Sequence, residues 1–307
     1  MPRYGPRALL KTPTGSGGEP SSPTRFLAGH GSSVRGFIFF PVSTNRIIFT
    51  AAGGNTHRRK ILFIMSTVTR IDGRAYDELR PVNFILDYQS HPLASLLVSC
   101  GNTREIVAMS VEDKVPQWMK NQKVPGGWIT SEYGMLPSAT GERVRREASA
   151  GKQSGRTVEI QRLIGRSLRM AADLEQLGER TVYLDCDVIN ADGGTRCAAI
   201  SGAALALAIG CKRIFPVNTN PFKNLVAAVS VGIIDGVPML DLCYDEDHRA
   251  EVDMNVIMTE GGELVEVQGT AEGAPFSRAK LNELLDLAEH GLKQIFALQR
   301  EALESVR

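Results

Sequence analysis

The sequence predicts a single α+β layered domain over residues 65–307, preceded by an extension, residues 1–64, that is expected to be disordered. Three observations predict it. β-rich runs follow one another from Val82 onward; helix-length segments come after each group of them; and the first 64 residues, rich in Gly, Ser, Pro and Thr, keep neither the period of a strand nor that of a helix. Strands followed by helices, twice over, are the pattern of sheet and helix packed in layers.

Taken in order, Val82–Tyr88, Ala94–Cys100 and Arg104–Val111 read as strands, with Gly101-Asn102-Thr103 supplying turn chemistry between the second and third. Gly127–Tyr133 is a further short strand, and Ser138–Gly151 is a polar, Arg-bearing loop or short helix. Apolar residues at near-helical spacing predict a helix over Arg156–Leu177, stopped by Gly178. Thr181–Ile189 is an almost continuous apolar strand interrupted by Asp185 and Asp187, after which Asp192-Gly193-Gly194-Thr195 leads into a small-residue helix, Arg196–Ile209. Strands at Leu225–Ile234, Pro238–Cys243, Val252–Met258 and Leu264–Gly269 follow, then an amphipathic helix from Ser277 to about Ser305.

A net charge of +1 hides an asymmetry: residues 1–64 hold nine Lys/Arg against one acid, a net +8, leaving 26 basic against 33 acidic residues, a net −7, in the remainder. An acidic body excludes non-specific nucleic-acid binding through bulk charge, so any RNA contact needs a local basic patch. The five cysteines (Cys100, Cys186, Cys197, Cys211, Cys243) form no CxxC pair and sit in apolar runs, which points to reduced thiols of a cytoplasmic protein. Two readings of residues 1–64 are open: an Arg-rich, acid-poor targeting segment, or upstream sequence translated from a start codon set ahead of Met65. Apolar patches such as Gly36–Phe40 and Ile61–Ile64 are far below the roughly 18 residues that span a bilayer, so no membrane association is expected.

Three constellations bear on chemistry. Gly193-Gly194-Thr195-Arg196 delivers a strand through glycines into a helix, a geometry that suits an anion, and Arg196 adds a fork of donors; a plain glycine turn is the alternative. Asp245, Glu246, Asp247 and Asp253 form the densest acidic group, either a solvated loop or hard oxygen ligands for Mg²⁺ bound with substrate phosphates. Arginines 143, 145, 146, 156, 162, 166 and 169 concentrate positive charge in one stretch, as a grip on a polyanion or as salt-bridge partners of nearby acids. Trp118, Trp128 and Tyr133 are candidates for base stacking or for core and interface packing.

In order and over almost all of residues 70–304, the chain resembles the ribonuclease PH family. The resemblance is carried by DGRAYDELRPV (Asp72–Val82), GWITSEYGMLP (Gly127–Pro137), GKQSGRTVEIQRLIGRSLR (Gly151–Arg169), LDCDVINADGGTR (Leu184–Arg196), AEVDMNVIMT (Ala250–Thr259) and EVQGTAEGAPFS (Glu266–Ser277). It implies a fold similar to the second domain of ribosomal protein S5 and a homohexameric ring assembled as a trimer of dimers. It also implies a phosphate-dependent 3′→5′ exoribonuclease that trims tRNA precursors and possibly ribosomal RNA, releasing nucleoside 5′-diphosphates, with inorganic phosphate as co-substrate and Mg²⁺ as cofactor. Residue by residue, phosphate binding is implied for Arg156, Gly194, Thr195 and Arg196, metal binding and catalysis for Asp247 and Asp253, and RNA or dimer contacts for Arg143 and Arg146. The chain departs from the pattern at Ser138, where the family carries a third arginine, and in a short insertion at Lys120–Pro125.

On this reading, catalysis is positioning and electrostatics: phosphate held in line by Arg156, Arg196 and backbone N–H groups, with no covalent nucleophile required. Two rivals stand beside it, a non-catalytic ring subunit that binds RNA on the same fold, and a metal-dependent hydrolytic nuclease that releases monophosphates.

Overall fold

In the computed structural model the described residues are 46–48, 64–66 and 70–306. The expectation of a disordered extension therefore falls on residues outside those described, except for β1 (Arg46–Ile48) and β2 (Ile64–Ser66), which pair antiparallel with Arg46 opposite Ser66. These belong to a unit, Met1–Thr67, separate from the compact unit Val68–Arg307.

Within the larger unit, the first sheet opens as a meander. β3 (Val82–Leu86), β4 (Ala94–Cys100) and β5 (Thr103–Glu112) pair antiparallel, and the turn at Gly101-Asn102 takes the left-handed φ of +58° at Gly101 that hairpin chemistry implies. A short α1 (Gln117–Gln122), which runs into the insertion noted above, precedes β6 (Trp128–Met135). After β6 the chain crosses over through α2 (Glu147–Ala150), α3 (Gly155–Met170) and α4 (Leu174–Leu177) to β7 (Thr181–Asn190), which lies parallel to β6. The five strands run in the order β3-β4-β5-β7-β6.

The helix expected over Arg156–Leu177 is thus two helices. Asp173 is the cause: its carboxylate accepts from the N–H groups of Glu175 and Gln176, starting a new helix where the apolar period alone would run on. Gly178, at φ +71°, ends it as expected.

The second sheet, ordered β11-β10-β8-β9, is antiparallel throughout: β8 (Val226–Ile234), β9 (Val237–Leu240), β10 (Val252–Thr259) and β11 (Leu264–Ala271). The expected Pro238–Cys243 strand ends at Leu240, where Asp241, at φ +53°, turns the chain out of β9, and a single helical turn, α6 (Tyr244–Asp247), follows before β10.

α5 (Thr195–Ile214) lies between the layers, touching β4, β5 and β7 of one sheet and β8 of the other, and α7 (Arg278–Ser305) covers β8, β9 and β10 from the far side. α5 is apolar enough by composition to cross a membrane, yet 83% of that stretch is buried inside the protein. It runs five residues past the expected end at Ile209 because Gly210 serves close packing rather than termination: a Cβ there would lie 2.1 Å from the Met109 sulfur.

Candidate active site

The anion cradle is built where β7 hands over to α5. Gly193 (φ +73°) and Gly194 (φ +66°) both occupy the left-handed region, and a Cβ on Gly193 would meet the Leu242 carbonyl oxygen at 2.6 Å, so glycine is required by conformation and by space. The Gly194 carbonyl accepts the first helical bonds from Cys197 and Ala198. The N–H groups of the preceding residues are thereby left facing outward at the positive end of a 20-residue helix. Arg196 is the second residue of that helix. Arg156 is the second residue of α3, whose N-terminus is capped by the Ser154 hydroxyl accepting from the Thr157 N–H at 3.1 Å. Two helix N-termini, each bearing an arginine, thus open on one cleft of about 1250 Å³.

Across the cleft stand two carboxylates. Asp247 ends α6, and Asp253 lies on β10 between Thr270 of β11 and Gly232 of β8. Burial, reinforced by the neighbouring Asp247 charge, pushes the Asp253 carboxyl up to about 6, against the opposing pull of Arg196 and Arg156. The four residues share one electrostatic neighbourhood: Asp253 feels Asp247, Arg196 and Arg156, and Arg196 also makes a long ion pair with Glu159 at 3.9 Å, while Arg156 forms no ion pair among the described residues. Arg196 is steadied by Gln268, whose Oε1 accepts from it at 3.2 Å, and Gln268 in turn donates to Glu159 and Glu266.

A layer of paired charges fixes these elements. Arg80, 4% exposed, donates from Nε and a terminal nitrogen to both Asp241 oxygens (3.0 and 2.6 Å) and also to the Asp192 carbonyl, tying the glycine turn to the end of β9. Arg70 makes a bidentate pair with Glu246 at 2.8 and 2.6 Å and donates to the carbonyls of Leu240 and Asp241. Against the upward pull of burial, the Arg70 hydrogen bonds hold Glu246 below the usual carboxylate range. Glu246 is therefore a structural member of the acidic group, facing away from the cleft chemistry. Thr103 of β5 closes the frame, donating to the Gly193 carbonyl at 2.7 Å and accepting from the Asp192 N–H. Tyr133, 5% exposed, donates its hydroxyl hydrogen to Thr195 Oγ1 at 2.8 Å, which leaves the Thr195 hydroxyl to donate elsewhere.

Arg156, Gly194, Thr195, Arg196, Asp247 and Asp253 all line the one cleft. Arg143 and Arg146 lie apart, exposed on the loop before α2, with Arg146 lining a second cavity that shares Arg156, Met135 and Val144 with the first. Of the seven clustered arginines, Arg166 pairs with Glu266, and the other six form no ion pair among the described residues, which favours an external anion over internal salt bridges. The two tryptophans pack on each other edge to face with centroids 5.0 Å apart, and Arg169 covers Trp128 at 4.4 Å; with Tyr133 buried, none of the three faces the cleft. No cluster of three metal-binding side chains occurs among the described residues.

Residues 78–211 match the profile described as "3' exoribonuclease family, domain 1", and residues 224–291 match its domain 2. The chain belongs to this family. It is 56% identical over 239 residues, covering 76% of this chain and 96% of the relative, to a protein of Bacillus subtilis (strain 168) named Ribonuclease PH. Among solved structures it is similar to the Archaeoglobus fulgidus exosome with RNA bound to the active site, with TM-score 0.63, 21% identity and coverage of 75% of this chain and 92% of that one. It is also similar to rice (Oryza sativa) Rrp46, with TM-score 0.62, 17% identity and coverage of 76% and 100%. At these identities the structural likeness shows the fold, and the two profile domains correspond to the five-stranded and four-stranded sheets with their helices. The cleft lies where those two domains of the exoribonuclease family meet.

Sequence reasoning assigned no role to Arg80, Asp241, Arg70 or Tyr244, although Arg80 lies within the Asp72–Val82 stretch that carries the resemblance. The signal available was the density of unlike charges between Arg70 and Arg80, which matches no strand or helix period and implies partners elsewhere.

Proposed function

We propose that the chain is a phosphate-dependent 3′→5′ exoribonuclease that trims the 3′ ends of tRNA precursors. The observation that carries this reading is the meeting of two arginine-bearing helix N-termini with two carboxylates in a single cleft. Phosphate is a multiply charged nucleophile and the RNA diester is itself an anion, so their approach requires fixed positive charge. Arg156, Arg196 and the outward N–H groups of the α5 terminus supply it. A phosphate oxygen attacks the phosphorus of the last diester, its bond to the 3′ oxygen of the preceding nucleotide breaks, that oxygen takes a proton, and a nucleoside 5′-diphosphate leaves. Arg156 and Arg196 orient the attacking phosphate and offset the charge that builds on the phosphoryl oxygens.

The carboxylate pair fits Mg²⁺, a cation that takes one or two carboxylates and completes its shell with water and substrate phosphates. An exposed carboxylate beside a half-buried one, neither in an ion pair among the described residues, is such a donor set, so Asp247 and Asp253 would hold the ion, which supplies charge neutralisation at the scissile group. The Arg143 and Arg146 loop, unpaired and beside the cleft, would steady the RNA backbone, with Ser138 contributing no charge. A homohexameric ring is the assembly in which we place the chain, and five free cysteines, four of them buried, support a cytoplasmic setting.

The test is incubation of the full chain with a 3′-extended tRNA and Mg²⁺, with and without phosphate. Diphosphates released only with phosphate are the expected products; monophosphates formed without phosphate would make the protein a hydrolase. Arg156→Ala, an exposed position, is expected to lower phosphorolysis by about 10²–10³-fold with unchanged thermal unfolding, and wild-type turnover in that variant would remove Arg156 from the site.

A further inference from the structure

Tyr244 is the single aromatic side chain lining the cleft among the described residues, and it is 60% exposed. Its backbone is held: the N–H donates to Asp192 Oδ1 at 3.2 Å, and the glycine turn presses so close that a Cβ on Gly193 would stand 2.9 Å from that nitrogen. The residue therefore sits against the anion cradle, and it lies three positions before Asp247 on the same helical turn. His248, one turn on, backs the ring with its own plane inclined by only 9° and its centroid 6.4 Å away. The rest of the cleft lining is charged, polar, small or aliphatic and offers no other aromatic ring to a base.

An exonuclease that advances along RNA meets a different base at each cycle. Hydrogen bonds to base edges would favour one base and stall on the others, whereas a π-face is common to all four. We propose that Tyr244, backed by His248, is the stacking platform for the base of the 3′-terminal nucleotide. Stacking there sets the register of the chain end, bringing the 5′ phosphate of that nucleotide to the arginines of the cradle. This inference rests on the exoribonuclease reading above and names the site that reading lacks, a base-binding surface.

The experiment compares the full chain with Tyr244→Ala and Tyr244→Phe in binding a short single-stranded RNA without phosphate, so that no turnover occurs, and the same RNA ending in an abasic nucleotide. Tyr244→Ala is expected to weaken binding of the intact RNA by roughly 5- to 150-fold, Tyr244→Phe to preserve it, and all three proteins to bind the abasic RNA alike. The KM for inorganic phosphate should be unchanged in both variants. Equal binding of intact RNA by wild type and Tyr244→Ala, or an equal loss on intact and abasic RNA, would overturn the platform. Absence of phosphate-dependent diphosphate release by the wild type would overturn the underlying reading instead.

Discussion

Asp253 carries a cost that its position makes measurable. Its carboxyl titrates near 6 in the folded protein and near 3.8 when exposed, so between those values the folded state binds more protons than the unfolded one. The associated stability is fully present below about 3.8 and lost as pH rises through about 6, and at pH 7 to 8 the ionised side chain strains the apo protein. Asp253→Asn is therefore expected to be more stable than wild type by about 1–3 kcal/mol at pH 7 to 8, with the gap closing toward pH 4, while phosphorolysis is lost. Urea unfolding at both pH values checks it, and a gap independent of pH would show that the carboxyl is not the source of the strain. A carboxylate kept in a half-buried cleft at the expense of stability is what the proposed metal-holding role would require. Asp253, Asp247, Arg156 and the Gly-Thr-Arg step were picked out in the sequence because each lies in a contiguous motif of the family resemblance, and the structure brings them to one cleft. Tyr244 was not, because a tyrosine beside acids has no pattern of its own until the fold places its ring in the cleft.

At the scale of elements, the glycine turn, β9 and α6 are held in one arrangement by the Arg80–Asp241 pair. Both groups are buried, and truncating one partner leaves the other charge without compensation. Arg80→Ala is expected to destabilise the protein by about 3–5 kcal/mol and to weaken phosphate use, since the turn carrying Gly194 loses its tie to Asp241. The double change Arg80→Met with Asp241→Leu separates the two effects: stability should largely return while the KM for phosphate stays raised, because an apolar pair fills the space but makes no bond to the Asp192 carbonyl. Recovery of both would mean that the pair acts on stability alone. The limits of sequence reading at this scale have the same physical origin. The strands of the first sheet were legible from period and turn chemistry, while the break after Met170 and the turn at Asp241 depend on side chains competing for backbone groups, and the close approach of Met109 to Gly210 of α5 is set by packing between elements far apart in the chain.

For the whole molecule, everything the proposed chemistry needs begins at Arg70. That guanidinium, with no exposed surface on its side chain, locks Glu246 and hence α6, so Arg70 is already part of the frame of the site. The family profiles begin at residue 78, and the compact unit runs from Val68 to Arg307. The layered architecture was predictable because strand and helix periods alternate along the chain. The role of residues 1–64 was not, because their composition suits both a targeting segment and upstream sequence translated from a start codon set ahead of Met65. A chain beginning at Met65 is accordingly expected to unfold at the same temperature as the full chain and to release diphosphates from 3′-extended tRNA at the same rate. A lower unfolding temperature in the shortened chain would show that the basic extension contributes to the folded unit. Unchanged unfolding with weakened RNA binding would instead assign the net +8 of that segment to the substrate, as counterion release by its arginines and lysines would require. Repeating the RNA-binding measurement at two salt concentrations separates the cases, since only the second predicts that the difference between the two chains shrinks as salt rises.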